Sequence, residues 1–192
     1  MDSINFQEPT LYFALAHILF NPIFWNTAAR AEYNKKLLTK LAGGNGRFGC
    51  YGLAVTIFTL GITRDFLYHN ALAAQPSHPF FDQDMVKISA VLLFLTGNVL
   101  VLTSMWALGV TGTYLGDYFG ILMKERVTGF PFNVCDNPMY VGSTCTFLAT
   151  ALWYGKPAGV FLTAIVYLVY KVALTFEEPF TAKIYANKDK KN

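Results

Sequence analysis

Residues 88–110 form a run of twenty-three positions without a single charged side chain. An α-helix rises about 1.5 Å per residue, so this run is long enough to cross the roughly 30 Å hydrocarbon core of a bilayer. Charged residues make up only 14% of the whole chain, against roughly 25% in soluble proteins, and hydrophobic residues make up 54%. The sequence therefore predicts an integral membrane protein, in which helices satisfy the backbone hydrogen bonds.

Five stretches of this kind predict an all-α integral membrane protein, a bundle of four to five membrane helices. Gly155 and Lys156 leave room only for a tight turn, so the last two stretches should form a helical hairpin. Pro22 removes a backbone hydrogen bond in the first stretch, which either spans the membrane or re-enters on the same side. Gly97 and Asn98 are expected to interrupt the third. The stretches are 9–29, 48–68, 88–110, 138–154 and 157–176.

The connection between the third and fourth stretches, residues 111–136, is rich in both glycines and aromatic residues. Aromatic rings favour the headgroup depth of a membrane, and glycines permit tight turns. This segment is therefore either the wall of a site or an interfacial loop without chemistry. Asn137 follows it and can cap the helix that begins at Pro138.

The distribution of lysine and arginine predicts the orientation in the membrane. Five of these residues lie in 30–47, two in 111–136 and four after 176, whereas the opposite side has only Arg64, Lys87 and Lys156. The positive-inside rule places the richer side in the cytosol. The C-terminus, the 111–136 loop and the start of the hairpin should all lie there. Arg64 falls within the second stretch and is expected to snorkel or to pair.

Two adjacent carboxylates, Glu177 and Glu178, close the last apolar run. Negative charge at the C-terminal end of a helix is unfavourable, which argues for a compensating role. The alternative is that both are solvated charges at a helix end. Because adjacent helical residues point about 100° apart, the two side chains should serve different tasks.

Three segments together resemble the phosphatidylethanolamine N-methyltransferase family of class III phospholipid methyltransferases. They are GTYLGDYFGILMKERVTGFPFNVCDNPMYVGST at 112–144, EEPFTAKIY at 177–185 and FNPIFWNTAAR at 20–30. The resemblance covers nearly the whole chain and is strongest to the fungal members that add the second and third methyl groups. It implies one methyltransferase domain over 1–192, with 88–185 as the part that bears the cofactor and the site.

The resemblance also implies the reaction and its location. Members use S-adenosylmethionine to methylate the amine of phosphatidyl-N-methylethanolamine and its dimethyl form, giving phosphatidylcholine; unmethylated phosphatidylethanolamine is a further substrate within the family. The chain should then be a multi-pass protein of the endoplasmic reticulum membrane, with a mitochondrial membrane as an additional location, and its lipid substrate should reach it from the bilayer.

The family's cofactor residues can be carried over position by position. Its paired glutamates match Glu177 and Glu178, while its G-x-G element matches only at Gly97, because Leu95 replaces the first glycine. Related enzymes have histidine before the proline of a P-x-Y motif, where this chain has Asn137. The expected cofactor-binding residues are Thr96, Gly97, Asn137, Tyr140, Glu177 and Glu178.

Methyl transfer to an amine requires the neutral amine, so a base should remove its proton. Asp117, Asp136 and one of the two glutamates are the candidates at the cytosolic boundary. Ring faces can hold the methylated, positively charged headgroup. Tyr114, Tyr118, Tyr140 and Trp106 could do so, or could simply anchor the protein at the interface.

Two other functions remain open at this point. One is a methyltransferase of the same fold that acts on another acceptor, such as a prenylcysteine carboxylate, and the other is a non-catalytic membrane scaffold. The basic residues form no extended patch, so nucleic acid is not an expected partner. Three cysteines without a CxxC pair argue against a disulfide framework and against a metal site.

Overall fold

A computed structural model describes residues 3–125 and 127–189 of the chain. Within those ranges the regular structure is entirely helical, which confirms the predicted class. Two short 3-10 turns, Pro79–Asp82 and Gly116–Phe119, join the helices. The helices are α1 (Pro9–Lys35), α2 (Leu37–Leu41), α3 (Gly46–Ala74), α4 (Asp84–Thr113), α5 (Pro138–Trp153) and α6 (Pro157–Asp189).

Among the described residues, three helices are long and apolar enough to cross a membrane: α3, α4 and α6. Large apolar side chains such as Leu102 and Leu168 point outward from them, as a lipid environment requires. α5 and α6 form the expected hairpin. α1 continues unbroken through Pro22, so this segment does not double back as a re-entrant loop would.

Three predicted helix ends are wrong. α1 continues to Lys35, six residues past the end of the predicted stretch 9–29. α3 continues to Ala74, so the loop that follows it is shorter than expected. α6 continues through Pro179 to Asp189, because Phe180 stacks on Tyr118 and Ile184 is buried beside them. Glu177 and Glu178 therefore lie inside a helix rather than at its C-terminus, and the unfavourable end-of-helix charge invoked for them does not exist.

α4 is also more regular at its centre than expected. The helix continues through Gly97 and Asn98, and the Asn98 side chain donates to the carbonyl of Phe94. The interruption is instead at Gly109, whose φ of 63° lies in the left-handed region that favours glycine. The kink therefore lies nearer the 111–136 loop than predicted.

The core lies where α1, α3, α5 and α6 meet, with Leu11, Tyr68, Phe147 and Leu162 all at most 5% exposed. At one end of the bundle, Gln75 after α3 binds Asn5 and accepts from Lys156. The 111–136 loop, the start of α5 and the two glutamates of α6 gather at the other end, as the sequence predicted. Arg126, Lys190 and Lys191, which entered the charge count, lie outside the described residues.

Candidate active site

A cavity of about 500 Å³ opens at the end of the bundle that carries the glutamates. Every long helix contributes to its wall, and so does the 111–136 loop. Phe58 and Ile62 of α3 line the cavity and are also more than half exposed, so the cavity reaches the outer surface beside α4. Its polar lining residues include Arg64, Asp65, Thr113, Tyr114, Asp136, Asn137, Tyr140, Ser143, Tyr170 and Glu177.

Glu177 is held at this wall by three uncharged donors. Its Oε1 accepts from the indole N–H of Trp25 at 2.6 Å and from the amide of Asn26 at 2.8 Å, and its Oε2 accepts from the Tyr140 hydroxyl at 2.5 Å. None of the lysines or arginines that the structure describes lies within 4.0 Å of the carboxylate. The side chain is thus fixed in position while its negative charge is left without a cationic partner.

Glu178 points elsewhere, as the helical step between adjacent residues predicts. It is exposed, and its Oε1 accepts from the side-chain amide of Asn137 at 2.9 Å. The expectation that the Asn137 side chain caps α5 is therefore wrong: it makes no capping hydrogen bond and contacts α6 instead. Asn137 and Glu178 together join the start of the hairpin to the last helix.

A second polar group lies deeper in the cavity. Arg64 of α3 donates from Nη1 to the Tyr170 hydroxyl at 2.6 Å, and its Nε and Nη2 both donate to Oδ1 of Asp65. The hydroxyls of Tyr170 and Ser143 lie 3.1 Å apart, and the Tyr140 ring packs edge-on against that of Tyr170. Arg64 therefore pairs, one of the two outcomes expected for it.

The two aspartates proposed as bases occupy different places. Asp136 lines the cavity. Asp117 is not among the lining residues; its Oδ2 accepts from the Thr181 hydroxyl at 3.0 Å, joining the 3-10 turn to the end of α6. Only Asp136 is therefore placed to reach a molecule in the cavity.

Two buried acceptors near the site have no partner among the described residues. They are Oγ1 of Thr113, which lines the cavity, and Oδ1 of Asn26, whose amide nitrogen already binds Glu177. Buried polar atoms normally form hydrogen bonds, so the Thr113 hydroxyl is available to a molecule in the cavity, whereas Asn26 is not among the lining residues.

Thr96 and Gly97 are not among the residues that line this cavity, although the adjacent Asn98 is. Thr96 is exposed on α4, and Gly97 packs against α5, where a Cβ would lie 2.6 Å from the carbonyl oxygen of Gly142. Gly142 faces Gly97 in the same way, also at 2.6 Å. Close approach of two helix backbones explains this glycine without a ligand, and a cofactor role for Thr96 and Gly97 stays a prediction.

The aromatic candidates separate by position as well. Tyr114 and Tyr140 line the cavity, whereas Tyr118 is only 1% exposed in a cluster with Phe180, and Trp106 is 91% exposed. Tyr114 and Tyr140 can therefore contact a headgroup inside the cavity with their ring faces. Trp106 is placed instead to meet lipid.

Several residues of the site were not predicted as such. Trp25 and Asn26 hold Glu177, and Tyr170 holds Arg64, yet none of these interactions is visible in the linear sequence. Two signals were available: the family segment 20–30 contains Trp25 and Asn26, and Arg64 interrupts an otherwise apolar stretch. Trp25, Asn26 and Arg64 also fall outside 88–185, the part expected to bear the site.

Comparison with known proteins identifies the family. The model of the family described as Phospholipid methyltransferase matches residues 85–188, more than half of the chain. The chain belongs to the phospholipid methyltransferase family. The matched region begins at the start of α4 and includes Asp136, Asn137, Tyr140 and both glutamates, so the family pattern contains much of the cavity wall.

Individual relatives within this family are similar over almost the whole chain. Phosphatidyl-N-methylethanolamine N-methyltransferase of Neurospora crassa is 57% identical over 97% of this chain and 87% of its own length. The protein of the same name from Saccharomyces cerevisiae is 58% identical over 98% and 91%. Phosphatidylethanolamine N-methyltransferase of Rattus norvegicus is 48% identical over 94% and 90%. No solved structure matches the chain.

Proposed function

We propose that this protein transfers methyl groups from S-adenosylmethionine to the amine of phosphatidyl-N-methylethanolamine and of its dimethyl form, giving phosphatidylcholine. The observation that carries the proposal is Glu177, a carboxylate fixed by three neutral donors at the wall of a cavity that reaches the lipid-facing surface. The names and identities of the relatives support the same reaction.

The residues around Glu177 fit the methyl donor. When bound, S-adenosylmethionine supplies a methyl group on a positively charged sulfur, which a neutral amine can displace. Glu177 offers the negative charge that favours such a cation, and Thr113, which lines the cavity, offers an unpaired hydroxyl for its polar groups. Asn137 and Tyr140 also line the cavity, whereas Glu178 does not and is connected to it through its hydrogen bond with Asn137.

The protein's principal contribution is alignment of the reacting groups, because in-line displacement depends on holding the amine, methyl and sulfur together. Asp136 lies at the same cavity and is the candidate for the carboxylate that takes the proton from the amine. Tyr140 keeps Glu177 oriented through its hydroxyl. Glu177 is thereby assigned to binding rather than to proton removal.

The charge of the cavity favours an amine over a carboxylate acceptor. Among the described residues, the carboxylates of Asp65, Asp136 and Glu177 and the guanidinium of Arg64 line it, and Asp65 is paired with Arg64. The remaining carboxylates, Asp136 and Glu177, favour the protonated amine that precedes reaction over a carboxylate such as that of prenylcysteine at their end of the cavity. A non-catalytic scaffold would give no reason for an uncompensated carboxylate facing a cavity.

The family resemblance supports a location, and the distribution of lysine and arginine supports an orientation. We infer a multi-pass protein of the endoplasmic reticulum membrane, with a mitochondrial membrane as an additional location, and with the C-terminus and the site on the cytosolic side. The lysines and arginines in 30–47, in 111–136 and after 176 support this orientation. We further propose that residues 1–192 act as one domain.

One assay tests the reaction and its acceptor. Purified protein is incubated with methyl-labelled S-adenosylmethionine and either phosphatidylethanolamine, its monomethyl or dimethyl form, or a prenylcysteine. The proposal expects labelled dimethyl and choline lipids from the partly methylated substrates. Label only on the prenylcysteine would select the alternative enzyme, and absence of both cofactor binding and transfer would favour the scaffold.

A further inference from the structure

Arg64 is a charged residue deep within a membrane-spanning helix. It lies ten residues before the end of α3 at Ala74, about 15 Å along the axis, and eighteen residues after the start at Gly46, about 27 Å. Charged side chains at such depth are costly and are generally retained for function. With its neighbour Asp65, it is one of two charged residues in α3 after Arg47.

The guanidinium is held in a defined orientation. Tyr170 accepts from Nη1, Asp65 accepts from Nε and Nη2, and the Cζ atom lies 4.8 Å from the ring centroid of Phe147. Ser143 and Tyr140 in turn contact Tyr170. The side chain of Arg64 is only 13% exposed, so the surrounding protein and not solvent fixes its direction.

This arrangement leaves hydrogen-bonding capacity toward the cavity. A guanidinium carries five N–H groups, and the three hydrogen bonds to Tyr170 and Asp65 use three of them. One N–H remains on each terminal nitrogen, the pair with which arginine binds two oxygens of a phosphate or carboxylate. Arg64 is also the only cationic residue among the described residues that line the cavity.

We propose that Arg64 binds the phosphodiester of the lipid substrate. Tyr170 and Glu177 lie seven residues apart on α6, about 10 Å along its axis, so Arg64 with its ion-pair partner Asp65 lies at one end of the cavity and the carboxylate of Glu177 at the other. An ethanolamine headgroup has the matching order, a phosphate anion joined by two carbons to an amine. The inference rests on the proposed function, since it assigns the lipid to the end opposite the methyl donor.

The apolar part of the cavity supports a lipid at this end. Ile57, Phe58 and Ile62 of α3 line it near Arg64, and Val101 and Met105 of α4 face them. Phe58 and Ile62 also reach the outer surface. Acyl chains can therefore remain in the bilayer against this apolar seam while the headgroup occupies the cavity. A carboxylate of the methyl donor has the same anion chemistry, and the experiment distinguishes the two.

Steady-state kinetics of Arg64→Gln and Arg64→Lys provide the test. We expect Arg64→Gln to raise KM for phosphatidyl-N-methylethanolamine by about tenfold or more, with KM for S-adenosylmethionine unchanged. Arg64→Lys keeps the positive charge but loses the planar guanidinium that can bind two oxygens. Its KM for the lipid should therefore lie between those of the wild type and Arg64→Gln. Arg47→Gln is the matched control, because it removes the same charge from the same helix at an exposed position and should leave both constants unchanged.

A modified substrate shows whether Arg64 recognises the phosphate itself. A methyl phosphotriester of the substrate lacks the negative charge and should be a poorer substrate for the wild-type protein, whereas Arg64→Gln should show no further loss with it. The proposal would be overturned if the triester were an equally poorer substrate for the wild type and for Arg64→Gln. It would also be overturned if Arg64→Gln raised only KM for S-adenosylmethionine, or changed neither kinetic constant. Should Arg64→Gln not fold, the same comparison is made with Arg64→Lys, in which the triester penalty should be smaller than in the wild type.

Direct lipid binding separates this proposal from the reaction. Radiolabelled phosphatidyl-N-methylethanolamine is bound to the purified full-length protein in detergent without methyl donor. Weaker binding by Arg64→Gln than by Arg47→Gln supports phosphate recognition even if no methyl transfer occurs. Equal binding by both variants contradicts phosphate recognition, whatever the outcome of the methyl-transfer assay.

Discussion

Trp25 in α1 donates its indole N–H to Glu177 in α6 at 2.6 Å, joining two residues that are 152 positions apart. Asn26 binds the same carboxylate oxygen, and Tyr140 of α5 binds the other. Three helices therefore converge on one negative charge, and the first helix of the chain takes part in a site to which the last two also contribute.

Glu177 and Glu178 should not be equivalent. Hydrogen bonds to a charged group are worth about 1.5–3 kcal/mol, and about 1.4 kcal/mol corresponds to tenfold. Glu177→Gln should therefore weaken S-adenosylmethionine binding by roughly ten- to hundredfold. Glu178→Gln, which changes an exposed side chain with one hydrogen bond to Asn137, should have a smaller effect. Isothermal titration with the cofactor measures both, and equal losses would contradict this ranking.

Asp136 and Asp117 should also differ in how much each contributes to turnover. A positioned general base contributes about 10²–10⁴-fold, so Asp136→Asn should lower kcat by roughly a hundredfold or more. Asp117→Asn should leave kcat nearly unchanged and lower stability, because Asp117 binds Thr181 outside the cavity. Turnover and thermal unfolding are measured on both variants. If Asp117→Asn is the one that loses turnover, the base has been assigned to the wrong residue.

Substitution of Gly97 tests whether this glycine serves helix packing or cofactor binding. A Cβ at this position would lie 2.6 Å from the carbonyl oxygen of Gly142, and overpacking typically costs about 1–3 kcal/mol. Gly97→Ala should therefore lower Tm, and Gly142→Ala should do the same. Gly52→Ala is the control, since a Cβ at that position on α3 would meet no atom within 4 Å.

The alternative outcome for Gly97 is equally specific. A Gly97→Ala protein with the wild-type Tm but a raised KM for S-adenosylmethionine would support the cofactor role predicted from the family resemblance. Thermal unfolding and cofactor titration on the same preparation are needed to separate the two effects.

Orientation can be tested with cysteine labelling. Cys135 lies at the glutamate end of the bundle and is partly exposed, whereas Ser77 lies at the opposite end and is exposed. In sealed microsomes a membrane-impermeant maleimide should label Cys135 directly when it is the only cysteine. With Ser77→Cys as the only cysteine, labelling should require permeabilisation. The reverse pattern would place the site in the lumen.

Charge patterning predicted the helices more successfully than their ends. The uncharged run 88–110 lies within α4, and the short turn at Gly155 produces the hairpin. The continuation of α6 past Pro179 was missed because proline usually ends a helix. Burial of Phe180 and Ile184 against the 3-10 turn favours the longer helix, and such tertiary packing is not visible in a local pattern.

The family resemblance predicted only part of the site, although its quoted segments also contain Trp25 and Asn26. Asn137, Tyr140, Glu177 and Glu178 come together as expected. Trp25 and Asn26 were missed because their contact with Glu177 depends on how α1 packs against α6. Arg64 was noticed only as a charge in an apolar run, and its partner Tyr170 lies 106 positions away.

The paired glycines of α4 and α5 hold these two helices in direct contact beside the cavity. Their backbones approach each other at Gly97 and Gly142. At Gly61 of α3, by contrast, a Cβ would meet nothing within 4 Å. The seam between α3 and α4 is therefore the more open side. A product with a larger headgroup would leave sideways through this seam and return to the leaflet without crossing an aqueous phase.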